Sequence, residues 1–169
     1  TEVLNRLCKI IEIESITSFV GSPQEAVCIA RFWKELYGNT PGFSGIKTVL
    51  LSTDYISDDT VRELEEAWGC KVFEHYGMTE MGLGGAVSCE TLIGYHPREN
   101  DLYFEIIDPE TGIVVPDGEC GEIVFTTLMR KGMPLIRYRT GDLSKWLVGQ
   151  CPCGSVLKRL DKVFPRWVK

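Results

Sequence analysis

No apolar run in the sequence approaches the roughly 20 residues that a helix needs to cross a bilayer. The N-terminal TEVLNRLCKI also lacks the apolar core and small-residue cleavage site of a signal peptide. Neither a membrane partner nor a secreted product is therefore expected. Positive charge is in deficit: the formal net charge is −6, and no basic face stands out to neutralise phosphates, which argues against a nucleic-acid partner. A local exception is the tail, with Lys158, Arg159, Lys162, Arg166 and Lys169, read as a solvated surface or a contact to a small anion. Internal repeats and low-complexity tracts are missing. So is a phosphate-binding loop, because Gly82-Leu83-Gly84-Gly85 has neither its lysine nor its spacing. The first residue is not Met, so the chain is expected to be a piece of a longer one.

What is present fits an ordinary globular composition, 44% hydrophobic and 25% charged over 169 residues, enough for one domain or a domain and a half. Seven cysteines are an odd number and scattered, in a chain large enough to build its own core. That usage suits a reducing compartment, the cytoplasm, better than a disulfide scaffold. Cys8, Cys28 and Cys70 sit among apolar residues and are expected as small core residues.

The first half alternates helix and strand signals. Glu2 to Ile11 repeats its apolar residues at helical spacing, and SITSFV reads as a strand ending at Gly21. Ser22-Pro23-Gln24-Glu25 combines an N-cap, a proline at the first helical position and a capping-box glutamate. The helix that follows should run to about Tyr37, apolar on most faces, and stop at Gly38 and Asn39-Thr40-Pro41-Gly42. KTVLLS is a second strand, Ser57-Asp58-Asp59 caps a helix with Val61, Leu64 and Trp68 inward, and CKVFE is a third strand. Strand, helix, strand, helix, strand implies a parallel sheet, in which ligands bind beyond the carboxyl ends of the strands. HYGMTE lies at such an end. After Gly85, DLYFEIID, GEIVFTTL, PLIRY, DLSKWLV and SVLKRL read as short strands, with a turn at Asp108-Pro109-Glu110-Thr111-Gly112. The predicted fold class is α/β: a partial parallel βαβαβ sheet followed by a smaller antiparallel sheet or half-barrel.

Four constellations carry chemistry. In Tyr76-Gly77-Met78-Thr79-Glu80 a phenol can stack on a planar group, a hydroxyl can bond a phosphate oxygen and a carboxylate can hold Mg²⁺. Gly77 permits close approach. The same residues also fit a turn with one buried aromatic. In Tyr138-Arg139-Thr140-Gly141-Asp142 the aspartate can accept both hydroxyls of a ribose, or merely cap a turn. Arg159-Leu160-Asp161 offers a cation for a phosphate or ribose, or a surface ion pair. Finally, Cys89, His96, Cys151 and Cys153 supply three thiolates and one imidazole, a closed set that suits structural Zn²⁺, although C-x-C is tighter than the usual C-x-x-C. Unrelated free cysteines and a surface histidine are the alternative. His75 could line a ligand pocket, or be simply hydrogen-bonded at a strand end. The glycines that follow read as a wall of low bulk.

In this order and spacing YGMTE, GECGEIVFTTL, PLIRYRTGDL and RLD resemble the adenylate-forming (AMP-binding) superfamily of acyl- and aryl-CoA ligases, from about Ser15 to Val163. The resemblance implies that Thr79 and Glu80 are catalytic, contacting the AMP phosphate and Mg²⁺. It implies ribose binding by Asp142, adenine packing by Tyr76 beside Gly77, and a nucleotide contact by Arg159. Asp161 falls where the family hinges between its large and small domains. Ser52, Thr53 and Asp54 occupy the loop beside the adenine, where a Gly-Glu pair is common. CPCG after YRTGD looks like the phenylacetate-CoA ligase branch, some members of which carry such a zinc; Cys120 stands outside the set. The chain would then be the second half of the large domain of an acyl-CoA synthetase. Its parts would be an α/β subdomain (1–85), a β-rich subdomain with the zinc site (86–160) and the start of a hinge (161–169). The family's upstream Ser/Thr/Gly-rich phosphate loop and downstream lysine domain are not in this sequence, so the chain alone is expected to be inactive in adenylation. The complete protein is expected to take ATP, a carboxylic acid such as phenylacetate, and CoA, forming an acyl-adenylate and then a thioester. The alternatives are a related adenylating enzyme with another acceptor, and a non-catalytic nucleotide-binding or zinc-stabilised module.

Overall fold

The computed structural model describes residues 2–38, 44–82 and 84–164. It divides into two units, with the boundary after Glu74. The Asn39–Gly42 stop signal and the tail residues Arg166 and Lys169 lie outside the described residues. Among the described residues no helix is long and apolar enough to cross a membrane.

The first unit follows the local signals. Its elements are α1 (Glu2–Ile13), β1 (Ser18–Gly21), α2 (Pro23–Tyr37), β2 (Thr48–Leu51), α3 (Asp58–Trp68) and β3 (Lys71–Tyr76). β1 pairs parallel with β2, and β2 with the Lys71–Glu74 part of β3. The capping box forms as expected: Ser22 Oγ accepts from the Glu25 amide, and Glu25 accepts from the Ser22 amide, both at 3.3 Å. Ser57 caps α3, and Gly69 ends it in the left-handed region. SITSFV contributes only its second half to a strand.

Burial of α2 differs from the expectation. Ala26, Ile29, Ala30 and Trp33 form one buried stripe at i, i+3, i+4 and i+7, while Cys28 and Leu36 face solvent. Cys28 is therefore not a core residue, whereas Cys8 and Cys70 are. Trp33, Val49, Leu51, Leu64 and Trp68 close the core of this unit.

In the second unit, His75 and Tyr76 at the end of β3 pair antiparallel with β4 (Ala86–Ser88), which pairs with β5 (Tyr95–Pro97). These two short strands were not expected from the sequence. A separate antiparallel sheet has the order β6 (Leu102–Ile107), β7 (Gly121–Thr127), β8 (Tyr138–Ser144). PLIRY supplies only the first residue of β8, and SVLKRL contributes an isolated pairing of Leu160 with Tyr95 and Trp146. The Asp108 turn forms, its carboxylate accepting from the Glu110 and Thr111 amides and the Thr111 hydroxyl. Tyr76, Met81, Phe104, Phe125, Trp146 and Leu160 belong to this unit's core.

Leu64 and Leu36 test the burial account with identical chemistry. Leu64 is fully buried and Leu36 is 46% exposed. Leu64→Ala should cost about 2–5 kcal/mol by urea unfolding, and Leu36→Ala under about 1 kcal/mol; equal losses would contradict the assignment of faces.

Candidate functional site

Alternation along β3 sends His75 and Tyr76 to opposite faces. Tyr76 is buried at 9% exposure, and its hydroxyl donates to Asp142 Oδ2 at 3.0 Å, 66 residues away. The motifs YGMTE and YRTGD are thus brought together. Thr79–Met81 form a single 3-10 turn, with Thr79 exposed and Glu80 half-buried. The Tyr138 hydroxyl lies 3.4 Å from Glu80 Oε1, a second link between the motifs. Arg98 braces the turn from behind: it donates to the Met81 carbonyl at 3.3 Å while paired through two bonds, 2.7 and 2.6 Å, with Asp101.

The glycines have a local purpose. A Cβ on Gly77 would lie 2.8 Å from the Gly84 Cα, so the close approach at Gly77 is to a neighbouring stretch of the chain's own backbone. Gly84, at φ +102°, carries the His75 ring, whose Nε2 would sit 1.8 Å from an added Cβ. On that face His75, Gly84, Gly85, Val87, Arg98 and Asn100 help line a largely apolar cleft of about 450 Å³. Burial, then the nearby Arg98 charge, lowers the His75 pKa from its ordinary value, favouring the neutral imidazole.

Cys89 directly follows β4 and His96 lies within β5, while Cys151 and Cys153 lie on a later loop; their ligand atoms all fall within 4.8 Å of one another. Cys89 Sγ and Cys151 Sγ are 3.6 Å apart, too far for a disulfide, and Cys153 Sγ is 3.5 Å from His96 Nε2. A tetrahedral ion with ordinary Zn–S and Zn–N bonds sets edges of about 3.8 and about 3.6 Å, so the donor set fits such an ion. His96 Nδ1 lies 3.1 Å from the Lys158 carbonyl, which leaves Nε2 as the ligand atom. Burial pushes the Cys151 thiol up, but hydrogen bonds from Cys153, Thr91 and His96 outweigh it and bring the pKa to about 6. Cys89 is also lowered: burial opposes the shift and the Thr91 hydrogen bonds produce it. Cys120 is exposed and outside the cluster.

The remaining candidate residues have these surroundings. Ser52, Thr53 and Asp54 belong to the first unit, at the end of β2; Asp54 accepts from the Tyr55 amide and the Gln24 side chain. Arg159 is only 7% exposed, and its donors reach the backbone carbonyls of Ile93 and Gln150 at 3.5 and 3.4 Å. Asp161 accepts from the Lys162 amide at 2.8 Å and lies 3.6 Å from Lys145 Nζ. Residues without an expected role also enter the site: Tyr138, Arg98, Thr91 and Glu122. The signal for Glu122 was legible, a carboxylate inside the apolar run of GEIVF with an arginine in the YRTGD strand.

The AMP-binding enzyme family model matches residues 1–129. The chain is 39% identical to the phenylacetate-coenzyme A ligase of Escherichia coli (strain K12) over 140 residues, 82% of this chain and 31% of that protein. It is 33% identical to that of Thermus thermophilus over 147 residues, 86% of this chain and 33% of that protein. A solved structure of 2-hydroxyisobutyryl-CoA ligase, in an open conformation with 2-HIB-AMP and CoA, superposes with a TM-score of 0.87 at 30% identity, covering 96% of this chain and 36% of that one. The chain thus spans about a third of the length of these relatives. Motifs, fold and relatives agree: the chain belongs to the AMP-binding enzyme family and is phenylacetate-coenzyme A ligase-like.

Proposed function

We propose that the complete protein containing this chain is an AMP-forming acid–CoA ligase acting on an arylacetic acid of the phenylacetate type. The observation that carries this reading is the Tyr76–Asp142 hydrogen bond, which joins the two motifs an adenylate site needs. Asp142 accepts the ribose hydroxyls, Tyr76 lines the adenosine side, and the exposed Thr79 hydroxyl donates to the α-phosphate. The substrate carboxylate attacks that phosphorus, forming an acyl-adenylate and releasing pyrophosphate; the CoA thiol then displaces AMP to give the thioester. Glu80, a half-buried hard oxygen donor, suits Mg²⁺, which supplies charge neutralisation at the phosphate oxygens when bound. The cleft beside His75 is the proposed space for the acid.

Arg159 is the proposed nucleotide contact; its guanidinium, on a residue 7% exposed, directs two of its donors to the carbonyls of Ile93 and Gln150. Asp161, near the end of the described residues, is the proposed hinge. Zn²⁺ held by Cys89, His96, Cys151 and Cys153 has a structural part: four protein donors form a closed set, and it ties the β4–β5 hairpin to the later loop. Seven cysteines with no disulfide among them suit a reducing compartment, the cytoplasm.

Two measurements test these assignments. In the complete protein, Glu80→Gln should lower acid-dependent ATP–pyrophosphate exchange by about a hundredfold or more; near wild-type exchange would refute the role of Glu80. Purified protein should carry one zinc per chain, lost in Cys151→Ser and Cys153→Ser; no stoichiometric zinc, or zinc retained in both variants, would refute the ligand set.

A further inference from the structure

The pairing of β7 with β8 is interrupted where Asp142 emerges. Glu122 faces Leu143 and Val124 faces Arg139, so the single residue Ile123 stands opposite Thr140, Gly141 and Asp142. Such a bulge re-aims side chains but leaves backbone groups that the ladder no longer satisfies. Here side chains satisfy them. The Thr140 hydroxyl donates to the Ile123 carbonyl at 2.8 Å and accepts from the Asp142 amide at 3.0 Å. Gly141, at φ +79°, donates its amide to Glu122 Oε1 at 3.0 Å. The other oxygen of Glu122 accepts from Arg139 Nε at 2.8 Å and from Arg139 Nη2, which also donates to the Pro109 carbonyl. Glu122 is 5% exposed and Thr140 3%, so neither is a surface group left to solvent.

We propose that Glu122 and Thr140 are positioning residues for Asp142: together they lock the bulge so that the Asp142 carboxylate is held at one orientation, anchored by Tyr76 and presented to the two ribose hydroxyls. A carboxylate buried in a strand costs desolvation unless it is well bonded. Glu122 meets that cost with two side-chain donors from Arg139 and one amide from the bulge. Its bond to the Gly141 amide acts one residue before Asp142, and the Thr140 bond acts on the Asp142 amide itself. Neither residue needs to touch the nucleotide. The inference rests on Asp142 being the ribose acceptor, and its test separates the two claims.

The experiment compares AMP with 3′-deoxy-AMP by titration calorimetry on the complete protein. Wild type should prefer AMP. Asp142→Asn should abolish that preference; a preference that persists there would overturn the ribose assignment and this inference with it. Glu122→Gln and Thr140→Val should each reduce the preference by about tenfold, and Thr140→Ser should restore it. Neither substitution should change the ratio further in the Asp142→Asn background. If Asp142→Asn loses the preference while Glu122→Gln and Thr140→Val keep it in full, the two residues are structural only and the positioning claim is overturned. Should Glu122→Gln fail to fold, the Thr140→Val and Thr140→Ser pair decides alone, because the Thr140 hydroxyl, removed in the first and kept in the second, is the direct tether of the Asp142 amide.

Discussion

A phenol buried to 9% exposure cannot leave its hydroxyl unpaired without a cost of about 1–3 kcal/mol. Tyr76 is held in the second unit's core among Met81, Phe104 and Phe125, so its ring has little freedom to move toward a partner. The partner comes to it instead. Asp142 accepts from Tyr76 because the β8 bulge turns the aspartate toward the phenol. Once that bond is set, the exit of β3 is set too. The Gly85 amide closes onto the Tyr76 carbonyl at 2.9 Å, and the 3-10 turn between them carries Thr79 and Glu80. Function in the proposed adenylation then depends on a packing constraint that precedes any ligand.

A second constraint operates within the same unit. The β4–β5 hairpin has only three residues in each strand, too few to be independently stable. Its connection is held from outside: Tyr95 and Leu160 exchange both backbone hydrogen bonds at 2.8 Å, and Arg159 reaches carbonyls next to the cysteine–histidine loops. The four proposed ligands join the same two segments. A zinc ion there would replace, with strong coordination bonds, the core that so short a hairpin cannot build.

How much of this was legible in the sequence depends on how local each signal is. The capping box at Ser22–Glu25 and the glycine stop at Gly69 are decided within one helical turn, and both form as read. Cys28 is exposed where the sequence suggests burial, because an apolar-rich helix hides which stripe faces the core; the spacing of Ala26, Ile29, Ala30 and Trp33 resolves it. β4 and β5 left no periodic trace, since a three-residue strand shows barely one alternation. Cys89, His96, Cys151 and Cys153 were legible in spite of their separation because thiolates and imidazole are few and chemically distinctive. The bulge at Thr140–Asp142 was not legible, because its register is set by a partner strand some 20 residues earlier in the chain. Glu122 stands out in the sequence as a carboxylate inside an apolar run, but its partners do not, and its role emerges only once Arg139 and Gly141 are placed against it.

The central claim is that YGMTE and YRTGD form one wall of an acyl-adenylate site, and a crystal structure of the complete protein with a non-hydrolysable acyl-adenylate analogue tests it most directly. The account predicts the Asp142 carboxylate within hydrogen-bonding distance of both ribose hydroxyls and the Thr79 hydroxyl at the phosphate-mimicking group. An analogue bound with neither residue in contact would contradict it.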